Sequence, residues 1–282
     1  MQKLKLPDDL SKVVKTALRE DIGPGDITAS LIAPGIQASA RVLVRESAIL
    51  CGSPWFNEVF NQIADSVKLE WLAEEGDKIS PGQTVCKLSG DATSLLSGER
   101  TALNFLQTLS GTATATRKFA DAVAEFGVRI LDTRKTIPGL RTAQKYAVRI
   151  GGGTNHRLGL YDGVLVKENH QYISQSTKSI VDQMGRRHIK VNLVEVEIEK
   201  LDELENAIAS GANRVMLDNF SVSDIEAAVR HNNRRVELEA SGNVDLDSIQ
   251  AIAATGVDFI STGAITKHLQ AIDYSMLFDS ED

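Results

Sequence analysis

The sequence predicts an α/β protein in which a small N-terminal α+β domain precedes a parallel α/β barrel. Short alternating segments separated by turn residues fill the first 110 residues. Beyond them, apolar runs of strand length alternate with helix-like segments, which is typical of a parallel sheet. Six such units, with a seventh unplaced, favour a barrel over an open doubly wound sheet. The first run also lacks the GxGxxG turn of dinucleotide-binding folds.

The first part should open with a helix over residues 8–20, capped by Asp8 or Asp9. Alternating apolar positions predict hairpin strands within residues 40–52, 66–80 and 83–90. A helix over 94–109 is expected to break at Gly111, and a second helix to continue to residue 126.

The second part repeats a strand-and-helix unit. Helices are predicted at residues 201–210 and 222–231, between the later strands. The strand-like runs cover residues 128–135, 162–170, 190–198, 213–219, 235–243 and 257–264.

Composition excludes several classes of protein. The chain has 282 residues and a net charge of −7, which disfavours nucleic acid because that binding depends on phosphate neutralisation. No stretch approaches the roughly 20 apolar residues of a membrane span, and the start MQKLKLPDDL lacks the apolar region of a signal peptide. Two isolated cysteines, Cys51 and Cys86, indicate a reducing compartment. We therefore expect a cytoplasmic protein without a membrane or nucleic-acid partner.

Polar side chains end every apolar run of the second part. In an α/β barrel these ends meet on the face that holds the active site, although ordinary polar caps are the alternative. The residues are Asp132, Thr133, Arg134 and Lys135; Lys167, Glu168, Asn169 and His170; Glu195 and Glu197; Asp218 and Asn219; Glu239, Ser241 and Asn243; and Ser261, Thr262 and Gly263.

The two carboxylates of LVEVEI, Glu195 and Glu197, share one face of their strand because side chains alternate with period two. Carboxylates that point into a barrel are costly unless a cation or a metal pairs with them. A structural ion pair with an inward lysine is the competing interpretation. It accounts for one of the two glutamates more readily than for both.

Residues 133–161 carry only positive charge in an otherwise acidic chain. Lys145 and Arg149 are expected on a solvated helix face. Arg134, Lys135 and Arg157 lie beside turn glycines and a strand end, which suits a pocket for a small polyanion. Glycine-bearing turns at 239–243 and 261–264 add backbone N–H groups that favour phosphate. Together these features indicate a phosphorylated substrate, with Glu197 and Asp218 available for ribose hydroxyls or Mg²⁺.

Several long strings also resemble the quinolinate phosphoribosyltransferase family, also called carboxylating nicotinate-nucleotide pyrophosphorylases. They run in order through nearly the whole chain and are REDIGPGDIT (19–28), LSGERTALNFLQTLSGTATAT (96–116), DTRKTIPGLRTAQKYAVRIGGGTNHRLGLYDGVLVKENH (132–170), EVE (195–197), MLDN (216–219), EASGN (239–243) and ISTGAITK (260–267).

The resemblance implies a pentosyltransferase of de novo NAD biosynthesis. It would convert quinolinate and phosphoribosyl pyrophosphate into nicotinate mononucleotide, pyrophosphate and CO₂, with Mg²⁺ and no organic cofactor. The implied fold is an open-faced α/β sandwich over residues 1–110 and an incomplete, seven-stranded α/β barrel over residues 111–282. The last residues are able to pack back on the first domain. The implied assembly is a homodimer, extended in some members to a hexamer, in which the N-terminal domain covers the partner's active site.

The resemblance also implies roles for individual residues. Lys135, Lys167, Glu197 and Asp218 would be catalytic. Lys167 would bind the phosphates of the phosphoribosyl donor, and Glu197 and Asp218 would hold ribose hydroxyls and Mg²⁺, the metal mainly through pyrophosphate and water. The quinolinate pocket would consist of Arg100 from the partner subunit with Thr133, Arg134, Lys135, His156 and Arg157. The 5′-phosphate would rest on Ser241, Gly242, Asn243, Thr262, Gly263 and Ala264.

Three other functions compete with this one. A ModD-like relative with the same scaffold would use a different acceptor. The predicted set of cations favours a dicarboxylate and so argues against this alternative. Residues 72–90 resemble half of a biotinyl or lipoyl carrier domain, but the MKM-like hairpin that carries the modified lysine is absent from the sequence. A non-catalytic binding protein would not need the complete set of strand-end residues.

Overall fold

The computed structural model describes residues 4–174 and 177–279. These residues form two compact units, each of which draws on separate parts of the chain. The first unit contains the described residues up to Arg117, Ile137–Gly152 and the segment from Leu269 onward. The second contains Lys118–Thr136 and the described part of Gly153–His268. The predicted boundary between residues 110 and 111 concerns sequence domains and stays a prediction.

Helices and strands alternate through most of the described chain. The helices are α1 (Leu10–Ile22), α2 (Ser53–Ile63), α3 (Ala92–Ala122), α4 (Arg141–Ile150), α5 (Glu168–Ser174), α6 (Thr177–Arg186), α7 (Leu204–Ala209), α8 (Val222–Asn232), α9 (Ile249–Ala253) and α10 (Ala264–Lys267). The strands are β1 (Gln37–Val44), β2 (Ala48–Ile49), β3 (Lys68–Trp71), β4 (Lys78–Ile79), β5 (Thr84–Asp91), β6 (Arg129–Leu131), β7 (Val164–Val166), β8 (Val194–Ile198), β9 (Arg214–Asp218), β10 (Glu237–Ser241), β11 (Phe259–Ser261) and β12 (Tyr274–Phe278). Short 3₁₀ helices lie at Ala29–Leu31 and Leu201–Glu203.

The first unit is built on an antiparallel sheet with the strand order β12–β1–β5–β3, and β2 and β4 form a separate pair. Trp55, Phe56 and Phe60 of α2 are almost completely buried in its core. The predicted strands and the opening helix are confirmed. The strands do not pair as hairpins among the described residues, because β1 and β3 both pair with β5, and β2 pairs with β4. Asp9 occupies the N-cap position of α1. Its carboxylate accepts hydrogen bonds from the Thr142 hydroxyl at 2.9 and 3.0 Å, however, and not from the helix backbone.

Helix α3 runs without interruption through Gly111, so the predicted break there is wrong. A Cβ at this position would lie 2.3 Å from the carbonyl oxygen of Gln270. The glycine therefore permits a close approach of the chain to the helix and does not end it. A sequence pattern cannot distinguish these two uses of a helical glycine.

The second unit contains a parallel sheet of six strands among the described residues, in the order β6–β11–β10–β9–β8–β7. All six predicted strand runs are confirmed. Thr154, which lies outside the strands, forms one parallel bridge with Leu131 at the end of β6, so the seventh strand of the expected barrel is reduced to a single residue pair. Thr154 follows three consecutive glycines. Glycine lacks a side chain that could pack on the sheet and loses much conformational entropy in a strand, so a longer strand is disfavoured here.

Parallel strands place their carboxyl ends at the same edge of the sheet. Loops that follow β6, β7, β9, β10 and β11 therefore start from one edge. Among the described residues, no helix combines the length and apolar character that crossing a bilayer requires.

Candidate active site

Most predicted site residues belong to the second unit and lie at the carboxyl edge of its sheet. Glu197 is within β8, Asp218 ends β9 and Ser241 ends β10, while Lys167 directly follows β7. Arg100 is different, because it is an exposed residue of α3 in the first unit. The structure thus brings together the predicted residues of the second unit, and Arg100 belongs to the first unit.

The loop after β6 presents two exposed cations, Arg134 and Lys135. The Thr133 hydroxyl accepts a hydrogen bond from the Lys135 backbone at 3.0 Å, and the Lys135 carbonyl accepts one from the Thr266 hydroxyl at 2.8 Å. A Cβ on Gly263 would lie 3.0 Å from Cδ of Lys135. The aliphatic stem of this lysine therefore runs along the glycine turn that follows β11.

Lys167 and Glu197 form an ion pair, with Nζ 2.5 Å from Oε2. The side chain of Glu197 is 9% exposed, whereas that of Lys167 is 45% exposed. The lysine side chain is thus the more exposed partner, and the carboxylate is nearly buried. The pair thus joins a side chain that follows β7 to one within the neighbouring strand β8.

Asp218 and the turn after β10 are linked by Asn219, which was noted in the sequence but not assigned to the site. The Asn219 amide donates to Asp218 Oδ2 at 2.9 Å, and its backbone N–H donates to the Ser241 carbonyl at 2.8 Å. A Cβ on Gly242 would lie 2.2 Å from Oδ1 of Asn219. Gly242, Asn219 and Asn243 all have positive φ, which shapes this turn as a tight backbone curve.

The hydroxyl of Thr262 stabilises the turn that follows β11. Thr262 Oγ1 donates to the Val244 carbonyl at 3.2 Å and accepts from the Ala264 N–H at 3.2 Å. The predicted phosphate contacts of Thr262, Gly263 and Ala264 remain predictions. The N–H of Ala264 already has a partner within the turn.

His156 and Arg157 follow Thr154 in the chain and belong to the second unit. The His156 ring is 8% exposed, and its Nε2 lies 2.7 Å from Glu195 Oε2 and 3.6 Å from Glu239 Oε2. The Arg157 guanidinium donates through Nη1 to the Gly163 carbonyl at 3.1 Å. Burial lowers the pKa of Arg157, and the nearby Arg134 lowers it further.

Glu195 and Glu239 are fully buried, and Arg214 of β9 acts on both carboxyls as a nearby cation. Arg214 Nη1 lies 3.5 Å from Glu239 Oε2, and its guanidinium carbon lies 3.8 Å from the centre of the Phe259 ring. Burial raises the pKa of Glu195 to about 7 and that of Glu239 to about 8, and the second shift also reflects repulsion by Glu195.

Sequence reasoning did not find Arg214. The competing interpretation, an ion pair with a lysine, is confirmed for Glu197, whose partner is Lys167, whereas Glu195 contacts His156. The arginine pairs with Glu239 on the neighbouring strand. The available signal was period two, because Arg214 shares a strand face with Met216 and Asp218. The expectation of a solvated Lys145 is wrong, since that residue is 1% exposed, while Arg149 is exposed as expected. Seven of the ten residues of α4 are buried, so the helix has only a narrow solvated face.

Two family models match the chain. The quinolinate phosphoribosyl transferase N-terminal domain matches residues 26–110, and the C-terminal domain of the same family matches residues 112–277.

Curated relatives and a solved structure are similar over almost the full length. Nicotinate-nucleotide pyrophosphorylase (carboxylating), chloroplastic, of Arabidopsis thaliana is 39% identical over an alignment of 294 positions that covers 97% of this chain and 84% of that protein. Quinolinate phosphoribosyltransferase (decarboxylating) 2b, mitochondrial, of Nicotiana tabacum is 37% identical, over 97% of this chain and 83% of that protein. The structure of the nicotinate-nucleotide pyrophosphorylase from Francisella tularensis superposes with a TM-score of 0.93, at 48% identity and over 98% of both chains. The chain therefore belongs to the quinolinate phosphoribosyl transferase family.

Proposed function

We propose that this chain transfers the phosphoribosyl group of 5-phosphoribosyl 1-pyrophosphate to quinolinate with decarboxylation. The products are nicotinate mononucleotide, pyrophosphate and CO₂, a step of de novo NAD biosynthesis. The observation that carries the proposal is the layout of charge at one edge of one parallel sheet. There, the cations Lys135 and Lys167 lie in loops beside the strands that carry Glu197 and Asp218.

The acceptor is a pyridine with two adjacent carboxylates, and it needs several cations around one face. Arg134 and Lys135 supply exposed charge from the loop after β6, and Arg157 supplies a guanidinium from the neighbouring segment. Arginine can bind a carboxylate through two parallel N–H donors, which also fixes the orientation of the ring. His156 belongs to the same pocket in the prediction from the family.

The donor half of the reaction uses the other charged groups. As pyrophosphate leaves C1′, negative charge grows on the departing oxygens and positive charge grows on the ribose. Lys167 stabilises the first, and Glu197 and Asp218, placed at the ribose, stabilise the second. The turn Ser241–Gly242–Asn243 receives the 5′-phosphate, because its backbone curves without a side chain at the centre.

Glu197 and Asp218 also fit Mg²⁺, which prefers carboxylate oxygens and retains water and substrate phosphate as its other ligands. The fit rests on the donor set, since Glu197 already faces a cation, the Lys167 ammonium, at 2.5 Å. Mg²⁺ bound with the donor would neutralise charge on the leaving pyrophosphate. Two protein carboxylates are too few for a closed metal cage, so the ion would arrive largely with pyrophosphate.

The chemical steps balance without a protein nucleophile. The pyridine nitrogen forms a bond to C1′ as the bond from C1′ to the pyrophosphate oxygen breaks. The C2–carboxylate bond then breaks, CO₂ leaves, and the electron pair remains at C2, where the pyridinium stabilises it. A proton from water completes nicotinate mononucleotide.

The experiment incubates the purified protein with quinolinate, phosphoribosyl pyrophosphate and Mg²⁺ and follows CO₂ and nicotinate mononucleotide. Nicotinate replaces quinolinate in a parallel reaction, and Lys135→Ala serves as the matched background. We expect product in the reaction with quinolinate and none in the reaction with nicotinate. Transfer to nicotinate without reaction of quinolinate would refute the assignment and favour a relative with another acceptor, as the ModD-like alternative requires.

We further propose a homodimer in which Arg100 completes the partner's site. Its support is that Arg100 is exposed in the first unit while the other proposed ligands belong to the second. Arg100→Ala and Lys135→Ala are mixed under conditions that exchange subunits. Random pairing makes half of the dimers mixed, and each mixed dimer has one intact site, so activity should recover to about one quarter of the wild-type value. No recovery in mixtures that have exchanged would contradict a shared site.

A further inference from the structure

Both ring nitrogens of His156 are already engaged within the chain. The backbone N–H of Arg157 donates to Nδ1 at 2.7 Å, and Nε2 lies 2.7 Å from Oε2 of Glu195. A backbone N–H can only donate, so Nδ1 must present its lone pair and carry no proton. The ring proton is therefore on Nε2, from which it is donated to the buried carboxylate of Glu195.

This tautomer argues against a metal ion at the same place. His156, Glu195 and Glu239 could each offer one ligand atom, and these atoms lie within 4.8 Å of one another. A metal on Nε2 would need the lone pair that the proton occupies, and a metal-bound histidine normally donates from its other nitrogen. Here Nδ1 accepts instead. Arg214 already lies 3.5 Å from Glu239 Oε2 as a cation for the carboxylates.

The same contacts fix the backbone on both sides of the histidine. Asp132 accepts the His156 N–H at 2.8 Å and the side-chain amide of Asn155 at 2.6 Å. The ring then holds the Arg157 N–H, and the Arg157 guanidinium reaches the Gly163 carbonyl. His156 thus connects the buried carboxylates of the barrel to the backbone that carries a proposed substrate cation.

We propose that His156 is a positioning residue that holds Arg157 in place and does not bind the quinolinate carboxylates itself. This inference rests on the proposed function, because it assigns Arg157 and not His156 to the acceptor. It departs from the family-based expectation that places the imidazole in the anion pocket. Contact with a substrate carboxylate would require the ring to leave Glu195 or Arg157.

Nitrogen NMR of the full chain with ¹⁵N-labelled histidine tests the tautomer directly. The chain has five histidines, and the His156 signals are assigned by their loss in His156→Asn. We expect a protonated Nε2 and an unprotonated Nδ1, both unchanged when saturating quinolinate is added. A charged ring, or a proton moved to Nδ1 in the presence of quinolinate, would overturn the proposal. This readout does not depend on turnover, so it remains decisive if the proposed reaction fails.

A matched pair of variants tests the role. In His156→Asn the side-chain oxygen can replace Nδ1 as acceptor for the Arg157 N–H, whereas in His156→Gln the amide reaches the Nε2 position instead. We expect the quinolinate KM of His156→Asn to stay within about threefold of wild type and that of His156→Gln to rise by about tenfold or more. The KM for phosphoribosyl pyrophosphate should not change in either. The reverse order, or equal losses in two variants with wild-type unfolding midpoints, would contradict positioning through Arg157.

Discussion

The ammonium of Lys167 and the carboxylate of Glu197 bind each other at 2.5 Å across neighbouring strands of the barrel. Each is proposed to bind a different part of the phosphoribosyl donor. In the chain without ligands, each of the two side chains neutralises the other. When the donor binds, its charged groups would take over this role. The lysine is the more exposed partner, so it is the group that can turn toward the pyrophosphate while the carboxylate stays in place.

Replacing Lys167 by methionine should lower kcat/KM by about 10² to 10³-fold, because a positive charge at the leaving group is lost while the apolar stem remains. Steady-state kinetics with both substrates measures this loss. Lys178→Met, an exposed lysine of α6, is the matched control and should leave kcat/KM within about twofold of wild type. Equal kinetics for the two variants would remove Lys167 from the donor site.

Gly242→Ala should damage the proposed phosphate turn. The residue has a φ of 104°, and a Cβ would lie 2.2 Å from Oδ1 of Asn219, so the turn and the asparagine must separate. We expect the KM for phosphoribosyl pyrophosphate to rise about tenfold and the free energy of unfolding to fall by about 1–3 kcal/mol.

Gly82→Ala is the control for backbone strain alone. Gly82 has a φ of 81° and open space where a Cβ would be, in the first unit. It should lose stability but keep wild-type KM values. An unchanged KM in Gly242→Ala would place the 5′-phosphate elsewhere.

Glu239→Gln should flatten the dependence of stability on pH. Burial, followed by repulsion from Glu195, raises the Glu239 pKa from 4.5 to about 8. A raised carboxyl pKa means that the folded state holds the proton more tightly, so this contribution to stability is complete below pH 4.5 and is lost as pH rises toward 8. The glutamine cannot ionise.

Urea unfolding at pH 5.5 and pH 8.5 should therefore show a smaller decrease for Glu239→Gln than for wild type, by up to about 3 kcal/mol. Glu237→Gln is the comparison, since Glu237 is on the same strand face but is exposed. Parallel curves for wild type and Glu239→Gln would mean that the buried carboxyl does not take up a proton in this range.

Gly111→Ala should destabilise the first unit, because its Cβ would lie 2.3 Å from the Gln270 carbonyl oxygen and both segments are backbone. We expect a loss of about 2–4 kcal/mol in the free energy of unfolding, as for other overpacked sites. Gly185→Ala, in α6 with nothing near the new Cβ, should gain about 0.5–1 kcal/mol from helix propensity. A neutral Gly111→Ala would show that the two segments can separate at little cost.

Much of the barrel could be read from local patterns. Buried parallel strands are nearly continuous apolar runs, and six of them were located, with Glu195 and Glu197 placed correctly on one face. The predictions that were wrong concern residues whose surroundings are set by packing against other parts of the chain. Gly111 faces a segment about 160 positions further along the chain, and Lys145 is on a helix that is buried on almost every side.

The interior of the site was the least predictable part. Arg214 and Glu239 come together only through strand order, which periodicity does not give. The tautomer of His156 depends on a hydrogen bond from the next residue and on a carboxylate 39 positions away. Sequence patterns identify the residue types at a site, whereas hydrogen-bond direction requires coordinates.

Strand β12 completes the edge of the first sheet by pairing with β1. A ribosome makes β1 early and β12 only after all of the second unit has been synthesised. During translation the nascent first unit therefore exposes an unpaired edge at β1, which is a hazard for aggregation. A chain that ends before β12 would keep the edge of β1 unpaired, so we expect it to aggregate more readily than the full chain.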